Sequence, residues 1–549
     1  MGNAALSGGS LSGAGNIAIG DSVGSGITSG SNAVAIGRDA LGGVYTGGDA
    51  IAIGRSALAS LTSGNFNVVV GSLAGTALTT GSSNTAVGFE ALKTEDAHGR
   101  NTAMGYQALK TLNAGAEAVT TTIGYLAGTS LTTGVQNTLI GGLSGDALTD
   151  ADYNVAVGNN TLSADTKGNR SVAIGYEALA TQNFSTSTDT HNVAVGNVAG
   201  TAITTGIRNT LIGSGAGNAL TDADLNVAVG RDALTSDTLG SQSVAIGTNA
   251  LANQNYTTAT NSLNTAVGHS AGSSVTTGIQ NTLIGGQAGD ALTDADFNVA
   301  VGTAALGVDT LGSRTTALGY GAFAVQNFTT ATNSHNVGVG YFAGAAVTTG
   351  TQNTLIGALA GDALTTGNSN VALGFQALTT DTLGQSSVAI GRNALIVQNF
   401  TTATDTFNVA IGDRVATSVT TGVQNTIIGG LAGDALTDAA NNVAVGYAVL
   451  SSDALGSKSV AIVKSALQSQ NFTTATDSFN TAVGFSAGLS ITTGVNNTLV
   501  GGETGETITT GSQNTFVGAR AGDAINTGGN IKPVVHYSES RSEEQNNPK

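Results

Sequence analysis

Short apolar segments of three residues, each closed by a glycine, recur along almost the whole chain, as in NTLIG (281–285) and NVAVG (298–302). We use this closing residue, the marker glycine, to measure the repeat. Neighbouring markers lie 17 residues apart almost everywhere, with one interval of 19 (Gly105 to Gly124) and a 21 at every fourth step from Gly175 onward. Three intervals of 17 and one of 21 give a super-repeat of 72 residues, which we call a block. The chain has 29 coils in all. So regular a period is typical of a solenoid, whose repeats pack on their neighbours.

The three positions of each segment have different side chains. Val or Ile precedes the marker in 26 of 29 coils, and Ile, Val or Thr stands three residues before it in every coil. These two positions share one face of an extended strand, and we expect that face to be buried. Because Ile284 lies on this face, we predict that Ile284→Asp lowers the free energy of unfolding by several kcal/mol.

The position between them is Ala in 19 coils. It becomes large at 72-residue spacing, at Leu139, Leu211, Leu283, Leu355, Ile427 and Leu499. Because this row carries almost no charge, we expect the second face to be buried too, against other copies of the chain. The pattern predicts an all-β fold, a parallel β-solenoid of about 29 coils. At one strand spacing per coil its length would be roughly 140 Å.

Asparagine opens the segment in 21 coils. At the same corner of stacked coils, such side chains can hydrogen-bond their own turn and their neighbours, so we interpret them as a structural ladder. Its members at 72-residue spacing are Asn137, Asn209, Asn281, Asn353, Asn425 and Asn497.

Composition narrows the functional classes. Charged residues make up 10% of the chain, the net charge is −17, and cysteine is absent. Clustered Lys and Arg for phosphate are missing, so we expect no nucleic-acid partner. Neither a secretory signal nor an apolar run of about 18 residues is seen, so we expect no membrane insertion. We divide the chain into an N-terminal segment or cap (1–15), a continuous repeat domain (16–528) and a polar tail (529–549).

Three of the repeated segments carry a family resemblance: SVAIG (171–175, 243–247, 387–391), NTAVG (84–88, 264–268, 480–484) and NVAVG. They resemble the head repeats of YadA-like trimeric autotransporter adhesins, and similar repeats recur in bacteriophage tail fibres. The resemblance covers about residues 16 to 525. It implies a left-handed parallel β-roll wound into a homotrimer with an adhesive or spacer role.

Each 21-residue interval carries a loop such as QNFTTAT. The loops place one aromatic residue per block on one edge, namely Phe184, Tyr256, Phe328, Phe400 and Phe472. An aromatic ring flanked by Asn, Gln and Thr suits contact with a sugar or a protein receptor. The alternative is that each ring covers the apolar edge opened by a wider coil.

Acidic segments such as GDALTDAD offer Asp146, Asp150 and Asp152, and likewise Asp290, Asp294 and Asp296, as calcium ligands. A fourth block reads GDALTTGN, which loses the later carboxylates, so we favour a solvated turn and assign no metal site. His191 and His335 stand where other blocks have Leu or Phe, which argues against a catalytic role. Since no acidic cluster is seen to break the repeat inside the coils, we expect no catalytic residues, no cofactor and no enzymatic activity.

The leading hypothesis is a trimeric phage tail-fibre rod involved in host attachment, located in the virion. The chain ends in NIKPVVHYSESRSEEQNNPK instead of the coiled-coil stalk and barrel strands of autotransporters, which favours a fibre. One alternative is a subunit of an extracellular filament whose copies stack end to end, or a cell-surface adhesin. An ice-binding solenoid is a further alternative, but coils such as DTLGSQS interrupt its threonine array.

Overall fold

The computed structural model describes residues 5–6 and 12–531, and in this part of the chain the regular structure is entirely β. Much of the predicted N-terminal segment (1–15) and most of the predicted tail (529–549) lie outside the described residues. The chain divides into two compact units, Met1–Gln280 and Asn281–Lys549, which are described in turn.

The first unit contains fifteen strands of three residues and four of two residues. In chain order they are β1 (Ile17–Ile19), β2 (Val34–Ile36), β3 (Ile51–Ile53), β4 (Val68–Val70), β5 (Thr85–Val87), β6 (Thr102–Met104), β7 (Thr121–Ile123), β8 (Thr138–Ile140), β9 (Val155–Val157), β10 (Gly168–Asn169), β11 (Val172–Ile174), β12 (Thr188–Asp189), β13 (Val193–Val195), β14 (Thr210–Ile212), β15 (Val227–Val229), β16 (Gly240–Ser241), β17 (Val244–Ile246), β18 (Thr260–Asn261) and β19 (Thr265–Val267). Within this unit, each three-residue strand pairs in parallel with the equivalent strand of a neighbouring coil.

The second unit repeats this arrangement with fourteen three-residue strands and six short ones. They are β20 (Thr282–Ile284), β21 (Val299–Val301), β22 (Gly312–Ser313), β23 (Thr316–Leu318), β24 (Thr332–Asn333), β25 (Val337–Val339), β26 (Thr354–Ile356), β27 (Val371–Leu373), β28 (Gly384–Gln385), β29 (Val388–Ile390), β30 (Thr404–Asp405), β31 (Val409–Ile411), β32 (Thr426–Ile428), β33 (Val443–Val445), β34 (Gly456–Ser457), β35 (Val460–Ile462), β36 (Thr476–Asp477), β37 (Thr481–Val483), β38 (Thr498–Val500) and β39 (Thr515–Val517). One three-residue strand per coil, 29 in total, confirms the predicted parallel β-solenoid. The two-residue strands pair where the 21-residue intervals widen the coil.

The marker glycine turns the chain after each strand. At Gly141 the backbone has φ of +136°, a region that side chains disfavour, and an added Cβ would lie 2.2 Å from the carbonyl oxygen of Gly158 in the next coil. Val463 takes a marker position with φ of +84°. The close approach of stacked coils therefore explains why glycine recurs at this spacing.

The strand faces are reversed relative to the sequence prediction. The middle residue is the one that points into the coil, and Ala300 and Leu283 are fully buried. The flanking residues point outward, and Ile284 is 39% exposed. The predicted inside-outside assignment is therefore wrong, and a large cost for Ile284→Asp does not follow for the chain by itself. The interior position takes alanine in most coils and a larger apolar residue in others, while the branched flanking residues lie on the outer face.

Where the middle residue is large, a glycine makes room for it. A Cβ on Gly145 would lie 3.0 Å from Leu139 Cδ2, and one on Gly128 would lie 2.9 Å from Leu139 Cδ1. In the coil with the middle alanine Ala52, the same turn position holds a buried leucine, Leu58. Large and small residues thus alternate between strand and turn to keep the interior filled.

Within the described residues, no helix has the length and apolar character needed to span a bilayer.

Candidate functional site

The five loop aromatics point into the coils. Phe184 is 7% exposed, and the other four rings are 5% exposed. The Tyr256 hydroxyl also donates a hydrogen bond to the Gly278 carbonyl oxygen at 2.7 Å. In this conformation the rings do not present their faces to a ligand, because the widened coil encloses them.

A buried polar network accompanies each of these rings. In the first regular block, Asp165 Oδ1 accepts hydrogen bonds from the backbone N–H groups of Gly168 at 3.0 Å and Phe184 at 3.2 Å. Gln182 Nε2 donates to Asp165 Oδ2 at 2.5 Å and to Ser171 Oγ at 2.9 Å. Burial raises the pKa of the Asp165 carboxyl above its ordinary value, although the hydrogen bonds from Gln182 and Phe184 oppose that shift.

The same network recurs in every block with a 21-residue interval. Its aspartates are Asp165, Asp237, Asp309, Asp381 and Asp453, and its glutamines are Gln182, Gln254, Gln326, Gln398 and Gln470. This network was not predicted from the sequence, although a signal was available. The opening asparagine is replaced by Ser or Thr in the one coil per block where a buried Asp–Gln pair needs a short hydroxyl, as at Ser171 and Thr315.

The asparagines at the coil openings are buried and hydrogen-bonded in both directions. Asn353 Nδ2 donates to the Gly367 carbonyl at 2.8 Å, and its Oδ1 accepts from the Asn370 N–H at 3.0 Å. Asn137, Asn209, Asn281, Asn425 and Asn497 make the equivalent bond to a carbonyl 14 residues later. Each side chain thus closes its own corner and joins it to a neighbouring coil.

The aspartates considered as calcium ligands do not gather into one site. Asp152 Oδ1 accepts the Val135 N–H at 2.7 Å, which uses it as a link between coils. Burial raises the pKa of Asp146 and of Asp290. Among the described residues, one group of three side chains brings its ligand atoms within 4.8 Å of one another, and it consists of Glu95, Asp96 and His98.

That group lies in the block with the 19-residue interval, where the sequence KTEDAHGRN (93–101) departs from the repeat. Glu95 is fully buried. Its Oε1 accepts the His98 N–H at 3.1 Å, and its Oε2 accepts the Ala114 N–H at 3.4 Å. Glu95 lies seven residues after the marker Gly88, and Asp165 lies seven residues after the marker Gly158, so the two acids hold equivalent positions.

A polar cleft of about 240 Å³ adjoins this group. Its lining includes His98, Ser82, Ser83 and the ion pair between Arg100 and Glu117, whose charged atoms are 2.7 Å apart. From the sequence, we expected no acidic cluster to break the repeat inside the coils. Glu95 and Asp96 form such a cluster, so that expectation was wrong.

The same block carries a second ionic group. Glu90 is 8% exposed and binds Lys93 Nζ at 2.7 Å, Lys110 Nζ at 2.9 Å and Gln107 Nε2 at 2.8 Å. Hydrogen bonds from Lys93 and then Lys110 lower the pKa of Glu90 to about 2. The charge of this carboxylate is thus balanced by two lysines of the same chain.

Three exposed rings stack along consecutive coils in this part of the chain. Phe89, Tyr106 and Tyr125 stack at centroid distances of 5.4 Å, one ring per coil, and their side chains lie at the surface. Unlike the five buried loop rings, they are accessible from solvent. Their faces cover one another, so the stack presents ring edges and tyrosine hydroxyls.

A row of half-exposed apolar side chains runs along the outer face of the strands in each unit. In the first unit it includes Met104, Ile123, Ile174, Ile212 and Ile246. In the second it includes Ile284, Leu318, Leu373, Val500 and Val517. The chain covers its inner face by itself but leaves this row open.

The fold defines the class of protein as a parallel β-solenoid repeat protein. Comparison of the sequence with models of known protein families and with curated proteins gives no match. The function is therefore argued from the solenoid and its surfaces.

Proposed function

We propose that this protein is a non-enzymatic structural fibre, assembled as a homotrimer and serving as a phage tail-fibre rod in host attachment. The observation that carries the proposal is the outward row of apolar side chains in each unit, including Ile212 in the first and Ile284 in the second, on the strand face that the chain leaves uncovered. A monomeric protein rarely keeps a long apolar surface open to water.

A second copy of the chain is the partner that this row fits best. The row repeats at coil spacing, and only an equally periodic surface can cover it in register. The interior is already filled by alanine and leucine, so each chain can fold before it assembles. The resemblance of the segments SVAIG and NTAVG to trimeric adhesin heads supports three copies.

The repeated polar side chains form hydrogen bonds within the fold, which supports a structural role for the protein. Asn353 and Asp165, for example, are both fully buried and accept backbone N–H groups, which ties neighbouring coils together. The exposed ring edges of Tyr106 and Tyr125 are the more suitable surface for a host glycan or protein receptor, since Phe184 and its equivalents are enclosed.

The test is the particle mass and shape of the purified full-length chain, by light scattering and negative-stain electron microscopy. Three chains of 53.6 kDa would give about 161 kDa, and we expect discrete particles of that mass. Ile212→Asp with Ile284→Asp should shift the mass toward one chain while the circular dichroism spectrum is retained. Thr349→Asp adds a negative charge at an exposed corner and should leave the trimer intact.

Two results would contradict the proposal. A single-chain mass for the unaltered protein would leave the apolar row without a partner copy. Polymers much longer than three chains would favour the filament alternative, in which the ends of the chain carry the function.

A further inference from the structure

The geometry points to a divalent transition-metal site formed by Glu95, Asp96 and His98, independent of the proposed role as a fibre. One imidazole nitrogen and two carboxylates form a ligand set that suits Zn²⁺ and similar ions. The ligand atoms of the three side chains lie within 4.8 Å of one another. They follow each other along a single turn, so the chain needs no distant segment to assemble the site.

The second observation is an imidazole nitrogen without a hydrogen bond. His98 Nδ1 is buried from solvent and has no hydrogen-bond partner in the described part of the chain, although it lies 3.3 Å from Glu95 Oε1. Two ligands of one tetrahedral zinc, each bound at about 2.0–2.1 Å, are separated by about 3.4 Å. The nitrogen and the carboxylate oxygen are thus at the separation that a shared metal ion sets.

The other blocks show that the fold does not require His98 or Asp96, whereas the position of Glu95 is acidic in every regular block. The position of His98 is glycine in all five regular blocks, at Gly168, Gly240, Gly312, Gly384 and Gly456. A Cβ on Gly168 would lie 2.2 Å from Asp165 Oδ2, so a side chain is unfavourable there in a regular block. The position of Asp96 is threonine in four of those blocks and alanine in the fifth. His98 and Asp96 therefore depart from the repeat together, next to a buried carboxylate that the repeat already supplies.

The cleft beside His98 gives the site an approach from solvent. Ser82, Ser83 and Arg100 line it along with His98. With three protein ligands, a metal ion keeps at least one position for water or an incoming group. The site resembles an open metal centre more than a closed structural one, and its fully buried member, Glu95, anchors it to the coil.

The test is titration of the full-length chain with Zn²⁺ by calorimetry and with Co²⁺ by visible absorption. We expect one ion per chain. His98→Gly and Asp96→Thr restore the residues of the regular blocks, so both variants should fold, and each should weaken binding at least about tenfold. His191→Leu removes an exposed histidine from a position where another block has Leu263, and it should bind as the unaltered chain does.

Absence of binding in the unaltered chain would overturn the site. Binding that is unchanged in both His98→Gly and Asp96→Thr would also overturn it, because the ion would then be held elsewhere. If either variant proves unfolded by circular dichroism, the other decides the question.

Discussion

Gln182 Nε2 lies 2.5 Å from Asp165 Oδ2, and the two side chains belong to neighbouring coils and are fully buried. Gln182 Oε1 in turn accepts a hydrogen bond from Asn192 Nδ2 at 2.8 Å, which fixes the orientation of the amide. The glutamine therefore faces the carboxylate as a donor only. Its equivalents do the same in four further blocks, so a carboxylate is enclosed at 72-residue intervals.

These aspartates predict a pH dependence of stability. Burial raises the pKa of Asp165, Asp237, Asp381 and Asp453 in the folded chain. The folded state then binds protons more tightly than the unfolded state, so their contribution to stability is greatest below the ordinary carboxyl pKa. It is lost as the pH rises through the folded-state values. We expect the melting temperature to fall between about pH 4, the ordinary carboxyl value, and the raised values.

Replacement of all four by asparagine should flatten this part of the melting profile. The control is Asp222→Asn, which removes an exposed carboxylate and should leave the slope unchanged. Parallel profiles for the fourfold variant and the unaltered chain would show that these carboxyls do not titrate differently on folding.

Glu90 predicts the opposite sign at lower pH. Lys93 and Lys110 lower its folded-state pKa to about 2, so its contribution is complete above the ordinary value of 4.5 and is lost as the pH falls toward 2. We expect Glu90→Gln to reduce the free energy of unfolding by about 1–3 kcal/mol at neutral pH and to have little effect near pH 2. Denaturant titration at both pH values measures this.

Glu177→Gln is the matched control for that change. Glu177 holds the same position relative to its marker glycine but forms no ion pair with the described part of the chain. An equal loss in the two variants would mean that the lysines add nothing to the stability of Glu90.

The asparagine ladder predicts a large cost for an apolar isostere. Asn353→Leu leaves the Gly367 carbonyl and the Asn370 N–H without their partner, and each orphaned buried group costs about 1–3 kcal/mol. The neighbouring exposed residue is the control, because Gln352→Leu should change the free energy of unfolding by less than about 0.5 kcal/mol. Similar free energies of unfolding for the two variants would show that the asparagine ladder does not stabilise the fold.

The packing of Leu139 against Gly145 predicts coupling between strand and turn. Leu139→Ala should destabilise the chain by about 2–5 kcal/mol through the cavity it leaves. Gly145→Leu alone should also destabilise, because its Cβ would lie 2.7 Å from Leu148 Cδ1 and 3.0 Å from Leu139 Cδ2. The double variant reproduces the alanine-and-leucine arrangement of Ala52 and Leu58, and it should recover part of the loss. Strictly additive losses in a double-mutant cycle would exclude the coupling.

Much of the fold could be predicted from the sequence because the repeat is periodic. Marker glycines such as Gly141 and Gly158 show where each strand ends, and equal coil lengths dictate a parallel register in which Thr138 pairs with Val155. The widened coils were also visible, as five intervals of 21 residues.

The site residues were harder to predict. Glu95, Asp96 and His98 are ordinary polar residues in the sequence, and only the turn brings their ligand atoms together. Asp165 and Gln182 are 17 residues apart, so the period places them at the same position of adjacent coils, but only the structure shows that both side chains point inward and meet.

By itself, the sequence determined the period, the number of coils and the places where the chain must turn, because these depend on spacing and on the conformational freedom of glycine. The tertiary structure alone decided which strand face is interior, since both faces are apolar and alternate with the same period. It placed the middle residues, such as Ala300 and Leu283, inside and the flanking residue Ile284 outside. It also enclosed Phe184 and exposed Tyr106, which hold different positions along their coils.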